Sequence, residues 1–371
     1  MNLDFVNNPY SDIIQLLIYR ENLNVLNNGD QFFAEPLVFA YFNNKKNNLF
    51  PKAVLKEILQ SYFFKKEPLK IKYSFNQNGV AYIPKLGYFK EREITPFEPI
   101  LMLEDFEVLK EIHPLLKKYF VEFYKGHIVN NSPAFKSVWK EHYDELKEAI
   151  LTIKIYLPEF YDELKFANKK IYLHDNPKIL NFTTIETLGM LYFYVVGKKN
   201  LVYFIEELIH QGSHNYLYYI IHNKRDFFKI DVENLVMRDF NNKDWDYRTI
   251  YGAFHGLFTV KQRVKCFDKL LSQNVFSGPY KHELLGRLAD QFSRFRTGLE
   301  LLDLNDVFTP KGVQFYEELD SNCYAILEKY KSLKNEFDLS NRDLDFRYKD
   351  FCELNPFETF QKKDEFNYYQ F

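Results

Sequence analysis

What most constrains this chain is one continuous stretch, residues 187–221. It opens with TLGMLYFYVV (residues 187–196), a nearly unbroken apolar run rich in aromatic side chains, as expected of a buried strand. Residues 201–221 follow without a proline, and Leu201, Phe204, Ile205, Leu208 and Ile209 recur at helical spacing. That apolar face can bury against the preceding strand, so the fold is expected to form around this pair.

The helix also carries chemistry. His210 and His214 lie four residues apart on one face, so both imidazoles can reach one ion. With nine histidines in 371 residues, such a pair arises by chance roughly one time in five, and the spacing alone decides little. His255, in Tyr251-Gly252-Ala253-Phe254-His255-Gly256, can supply a third ligand, and the set reads as a mononuclear metal centre.

The residue after the first histidine separates two chemistries. A zinc peptidase of the His-Glu-x-x-His kind uses that Glu to deprotonate metal-bound water. Here it is Gln211, an amide that takes no proton near neutral pH. An oxygenase using a 2-oxo acid needs no such base. It needs three protein ligands and open positions for the oxo acid and oxygen, and a cation for the distal carboxylate. Arg248 is the first candidate for that cation, with Arg238 and Arg263 in reserve. A peptidase relative would need Glu206 or Glu207 as its base. A third reading is a non-catalytic peptide-binding protein with a degenerate metal site.

Glu206 shares the row of the two histidines and Glu207 lies one step round. Either can orient a ligand imidazole or face solvent. Gly212 costs a helix interior roughly 1 kcal/mol against Ala, which predicts close approach of a neighbouring backbone or a ligand. His222 reads as a polar residue near the helix C-terminus. His113, His127, His142, His174 and His282 show no ligand spacing. Trp245 and Phe254 are candidates to line a pocket, although packing in the core is the commoner use of a Phe.

Net charge is −2 with both signs interspersed, so there is no electrostatic footprint for nucleic acid. Aromatics reach 18%, but alongside abundant Asn, Lys and Ile this matches AT-rich codon usage and marks no surface. Cys266, Cys323 and Cys352 are odd in number and far apart, which predicts no disulfide framework and a reducing, cytoplasmic setting. The first five residues have no secretory pattern, and no apolar run reaches the ~20 residues of a membrane span.

Along the chain, residues 10–65 read as short helices joined by Asn-rich turns such as Asn43 to Asn48. Residues 70–75, 80–83 and 87–89 alternate as short strands, with Asn76-Gln77-Asn78-Gly79 a turn. Residues 104–166 show helical period through Phe106, Leu109, Ile112 and Leu116, then Tyr143, Leu146, Ile150 and Ile153, with an interruption at Pro158. Residues 281–301 and 313–333 read as helices, with Thr309 the N-cap before Pro310. The tail from Asp338 has no clear period and reads as loosely packed or partner-binding.

In their order, these features resemble the HExxH-type peptide β-hydroxylases of ribosomal natural-product pathways, described as iron- and 2-oxoglutarate-dependent. The matching segments are Leu208-Ile209-His210-Gln211-Gly212-Ser213-His214 after a strand, Arg248-Thr249-Ile250-Tyr251-Gly252-Ala253-Phe254-His255-Gly256, and Phe308-Thr309-Pro310-Lys311-Gly312. The resemblance spans residues 143–319, with Gln211 in place of the family Glu and Thr249 in place of a Pro. It implies Fe(II) on His210, His214 and His255, 2-oxoglutarate as co-substrate near Arg248, and a precursor peptide as substrate. The expected fold is α+β, mainly helical with a small sheet, and the metal site sits on a helix following a buried strand. The expected division is an N-terminal, peptide-engaging region over residues 1–140, a metal domain over 141–335 and a tail over 336–371.

Overall fold

A computed structural model describes residues 9–21, 34–44, 50–63, 71–93, 95–124, 127–131, 136–241, 243–296, 298–342 and 345–363. The fold is α+β and mainly helical. Helices α1 (Ser11–Arg20), α2 (Pro36–Asn44) and α3 (Lys52–Phe63) come first. The hairpin β1 (Val80–Ile83) and β2 (Gly87–Lys90) follows, then β3 (Leu101–Leu103), β4 (Phe106–Val108), and a second hairpin of β5 (Val121–Tyr124) and β6 (His127–Asn131). Next come α4 (Tyr143–Tyr156), α5 (Pro158–Ala167), β7 (Lys170–His174), β8 (Met190–Tyr194) and α6 (Leu201–Ile220). The chain continues through α7 (Arg238–Asn241), α8 (Ile250–Ser272), α9 (Gly278–Arg294), α10 (Leu304–Val307), α11 (Pro310–Lys329), α12 (Leu333–Glu336), α13 (Tyr348–Leu354) and α14 (Phe357–Lys363). No helix among the described residues is long and apolar enough to cross a membrane.

The sheet that positions the site runs β3-β4-β7-β8, with β4, β7 and β8 parallel. Successive strand residues face opposite sides. Tyr172, Met190 and Tyr192 therefore enter one apolar core, and Ile171, Leu173, Leu191 and Phe193 enter another. Burial on both faces explains the unbroken apolar run at 187–196, whose central part forms β8. Asn200 caps α6, its side chain accepting from the Tyr203 N–H at 3.1 Å. Helices α4, α5 and α8 flank α6, which is buried around most of its circumference.

Both cores draw on residues before and after position 140. A buried charge cluster also bridges that point. Lys170 Nζ on β7 donates to Glu107 at 2.6 Å and to the Tyr82 hydroxyl at 2.9 Å, and pairs with Glu35 at 3.2 Å.

Several expectations need correction. The helical period at Phe106, Leu109, Ile112 and Leu116 is not a helix. Phe106 and its neighbours form β4, and a short 3-10 helix covers Pro114–Tyr119. Glu104 turns the chain at φ 53°, and β4 finds its partner β7 more than sixty residues on, at Glu107↔Lys170. Of the expected strand at 70–75, Phe75 makes a single bridge to Ala81, and Lys70 lies outside the described residues. So do Lys45 to Asn48 and the first five residues. The tail is not loose over 345–363: Phe346, Phe351 and Phe360 are buried. His282 Nδ1 lies 3.0 Å from the Tyr348 hydroxyl, and its ring packs on Phe360. Thr309 does cap α11, accepting from the Gly312 N–H at 3.1 Å. A Cβ on Gly312 would collide with the Phe227 carbonyl.

Candidate metal centre

Helices α6 and α8 run antiparallel, and two contacts fix their register. His214 meets His255 at one level, and Glu206 meets Arg263 two turns away. Each helix thus contributes a row at four-residue spacing: Glu206, His210, His214 and Tyr218 from α6; Tyr251, His255, Thr259 and Arg263 from α8. One end of this seam is charged and closed, and the other opens on a cavity.

At the open end, His214 Nδ1 and His255 Nδ1 stand 2.9 Å apart with their rings nearly parallel. The His210 ring centroid is 5.0 Å from that of His214. Tyr251 packs edge-on against His255 at 4.4 Å, and Tyr218 lies against it at 5.0 Å. These three histidines, with Gln211, Tyr218, Thr249 and Tyr251, line a cavity of about 340 Å³ whose far wall is Asn181, Phe182 and Thr183. Thr249, where the resembled family has Pro, caps α8 by accepting from the Gly252 N–H at 3.0 Å.

Burial holds all three imidazoles neutral, the form that binds metals. His214 is pushed down to about 3 by burial and then by the Arg263 charge. His210 falls well below the ordinary range through burial, Arg263, His214 and Arg294, and His255 through burial, His214 and Lys224. His255 Nε2 is buried with no hydrogen-bond partner among the described residues.

The donor set fits a metal in part. Two nitrogens on adjacent corners of an octahedral ion at about 2.1 Å stand about 3 Å apart, close to the 2.9 Å of His214 and His255. The same separation is an ordinary hydrogen bond between two neutral rings, one Nδ1 donating. His210 does not close the set as it stands. Its Nδ1 lies 3.4 Å from Gln211 Nε2 and 3.9 Å from Glu207 Oε2. Among the described residues, no group of three His, Cys, Asp or Glu side chains is arranged to hold a metal ion.

The acidic neighbours divide. Glu206 is bound into the closed end, paired with Arg287 and 3.5 Å from Arg263 Nη1. Arg287 in turn donates to Glu283 through Nε at 2.9 Å and Nη2 at 2.6 Å. Glu207 is the carboxyl beside the histidine row. Burial and the adjacent Glu206 raise its pKa, and Gln211 Nε2 donates to it at 3.5 Å. No carboxylate lines the cavity among the described residues.

None of the three arginines is on the cavity wall. Arg248 is clamped by Asp246, with Nε and Nη2 each donating at 2.7 Å. Arg238 lies over the Tyr247 ring and 3.6 Å from Asp239. Arg263 is buried between Glu206 and Gln291. Phe254 is in the core and Trp245 is 66% exposed; neither lines the cavity. Gly212 admits neither a backbone nor a ligand: a Cβ there would strike Leu164 of α5, and Asn168 Nδ2 donates to its carbonyl at 3.3 Å.

Sequence reasoning missed Tyr218 and Tyr251, although each lies four residues from a histidine and the row could have been extended. It missed residues 181–183 because a loop carries no periodic signal. No protein-family model and no curated protein matches the chain.

Proposed function

We propose that this chain is an Fe(II)- and 2-oxoglutarate-dependent oxygenase, acting in the cytoplasm on the β-carbon of a side chain in a ribosomally made peptide. The observation that supports it is the meeting of His210, His214 and His255 on one cavity wall, from helices whose ligand positions are 41 residues apart. His214 and His255 would hold the metal as they stand, and His210, 26% exposed at its side chain, would join by turning its ring into the cavity. Bound iron with 2-oxoglutarate and dioxygen would supply the oxidising power toward a C–H bond, one oxygen atom going to the peptide and the other to succinate. The chain's own residues do the rest. Tyr218 and Tyr251 brace His255, and Phe182 lines the cavity beside them. Gln211 is buried, with its amide on Glu207, and serves as a positioning residue for the His210 ring. Arg248, off the cavity wall and held by Asp246, would have to release that carboxylate and turn toward the cavity to hold the co-substrate.

A zinc-peptidase reading is weaker, because a hydrolytic base would have to reach the cavity, and Glu206 is spent on Arg287 while Glu207, bonded to Gln211, does not line it. A non-catalytic peptide-binding protein is the second reading, favoured by the incomplete closure of the three-histidine set. Anaerobic titration with Fe(II) and 2-oxoglutarate, followed by intact-mass analysis of a co-expressed neighbouring precursor peptide, tests the proposal. A gain of one oxygen supports it. Cleavage of the peptide points to the hydrolase, and absence of metal binding points to the second reading.

A further inference from the structure

The loop before β8 has a use that the histidines alone do not reveal. Phe182 exchanges both backbone hydrogen bonds with Tyr192 of β8, at 3.0 and 3.1 Å, and stacks on its ring at 4.3 Å. Residues 181–183 therefore lie along the outer edge of the four-stranded sheet as a one-bridge extension. The Asn181 side chain pins them there, accepting from the Tyr194 N–H at 2.6 Å and the Tyr203 hydroxyl at 3.2 Å.

In an antiparallel pair, a residue that exchanges both bonds is flanked by residues whose N–H and C=O point the other way. Asn181 and Thr183 flank Phe182, and no hydrogen bond among the described residues uses their backbone groups. Both residues are only half-buried. They also stand where two cavities meet. Asn181, Phe182 and Thr183 line the histidine cavity of about 340 Å³, and the same three line a second cavity of about 570 Å³. The second cavity is walled by Val121, Ile179 and Leu180, and its lysines are already paired, Lys118 with Glu186 at 3.1 Å and Lys178 with Glu122 at 3.4 Å.

We infer that residues 181–183 form a docking edge for an extended peptide, which adds as an outer strand and places one side chain in the histidine cavity and a neighbouring apolar side chain against Val121, Ile179 and Leu180. This rests on the peptide-substrate reading and specifies its binding mode. The main-chain ladder supplies affinity without regard to sequence, and the apolar cavity supplies selectivity. A small polar molecule would leave the outward N–H and C=O groups unused.

Because the ladder is sequence-independent, a generic strand-forming probe suffices: an acetylated, amidated hexapeptide of alternating Thr and Val, and the same peptide N-methylated at alternate residues. Backbone amide resonances of the metal-free full chain are followed by NMR while each is added to millimolar concentration. The inference expects saturable shifts at Asn181 and Thr183 with the first peptide, and at least a tenfold loss of affinity on N-methylation. Leu180→Asp should weaken the first peptide several-fold and leave Fe(II) titration unchanged. Unmoved amides at Asn181 and Thr183, or equal binding of the N-methylated peptide, would overturn it. Docking without metal binding would refute the oxygenase reading alone, and metal binding without docking would refute the strand-addition mode alone.

Discussion

The two ends of the α6–α8 seam are built from the same geometry and treat their polar groups in opposite ways. At the Glu206 end every charge has a partner: Arg287 bridges Glu206 and Glu283, and Arg263 reaches Glu206 and Gln291. At the histidine end the rings face a cavity, and the closest contact is between two bases. Paired charges hold two helices together, whereas neutral imidazoles on a cavity are able to take a ligand. The closed end reads as structure and the open end as a site. Both belong to one continuous row of four residues on each helix, so residue type alone does not separate the roles.

The largest effect that separates them is on stability. Arg287→Ala leaves Glu206 and Glu283 buried without their main partner and should cost about 3–5 kcal/mol in urea unfolding. His214→Ala, at the open end, should cost about 1 kcal/mol or less. Equal losses would erase the distinction between the ends.

Co-substrate affinity comes next. Arg248→Ala should weaken 2-oxoglutarate binding to the Fe(II)-loaded protein at least tenfold by calorimetry, and Asp246→Asn, which frees Arg248, should strengthen it. If neither changes, the anchor is Arg263 or Arg238, or 2-oxoglutarate has no part in the account.

Acid should act on the buried histidines in a definite direction. Burial pushes His214 and His113 down to about 3, and His174 and His282 down to about 4. Unfolded imidazoles take up a proton near 6.5. Below that pH these imidazoles bind more protons in the unfolded chain than in the folded one, so their contribution is full above about pH 6.5 and is lost as pH drops toward 4. Glu207, whose carboxyl pKa is raised by burial, contributes with the opposite sign. The urea midpoint should decline over that window, and His214→Ala should flatten the decline by removing one buried neutral ring.

The smallest effect is at Gln211. Gln211→Glu should leave Fe(II) affinity within a factor of about three and create no peptidase activity, because the oxidative chemistry draws no proton from water. Hydroxylation appearing only in that variant would give the missing carboxylate the role the account denies it.

In the seam, α8, which carries His255, was not read as a helix. Helix α6 was legible from sequence because it is long, capped by Asn200 and patterned by its own period, so its boundaries and the spacing of its histidines are local properties. Residues 104–124 were not. Phe106 and Leu109 have the spacing of a helix face, but β4 is stabilised by β7, which local pattern does not see. The arginine assignments failed to reach the cavity for a related reason. Proximity in sequence placed Arg248 beside His255, whereas the Asp246 carboxylate two residues away decides where its guanidinium points. Thr249, read only as a departure from a family pattern, turns out to be the cap that starts α8 and sets the level of His255.

The central claim is that the open end holds one metal ion on three histidines. Anaerobic calorimetric titration of the metal-free full chain with Fe(II), beside His210→Ala, His214→Ala and His255→Ala, measures it directly. One ion per wild-type chain is expected, with loss of stoichiometric binding in all three variants, each still folded by circular dichroism. Wild-type protein that binds no Fe(II), or a His255→Ala variant that binds as tightly as wild type, would contradict it.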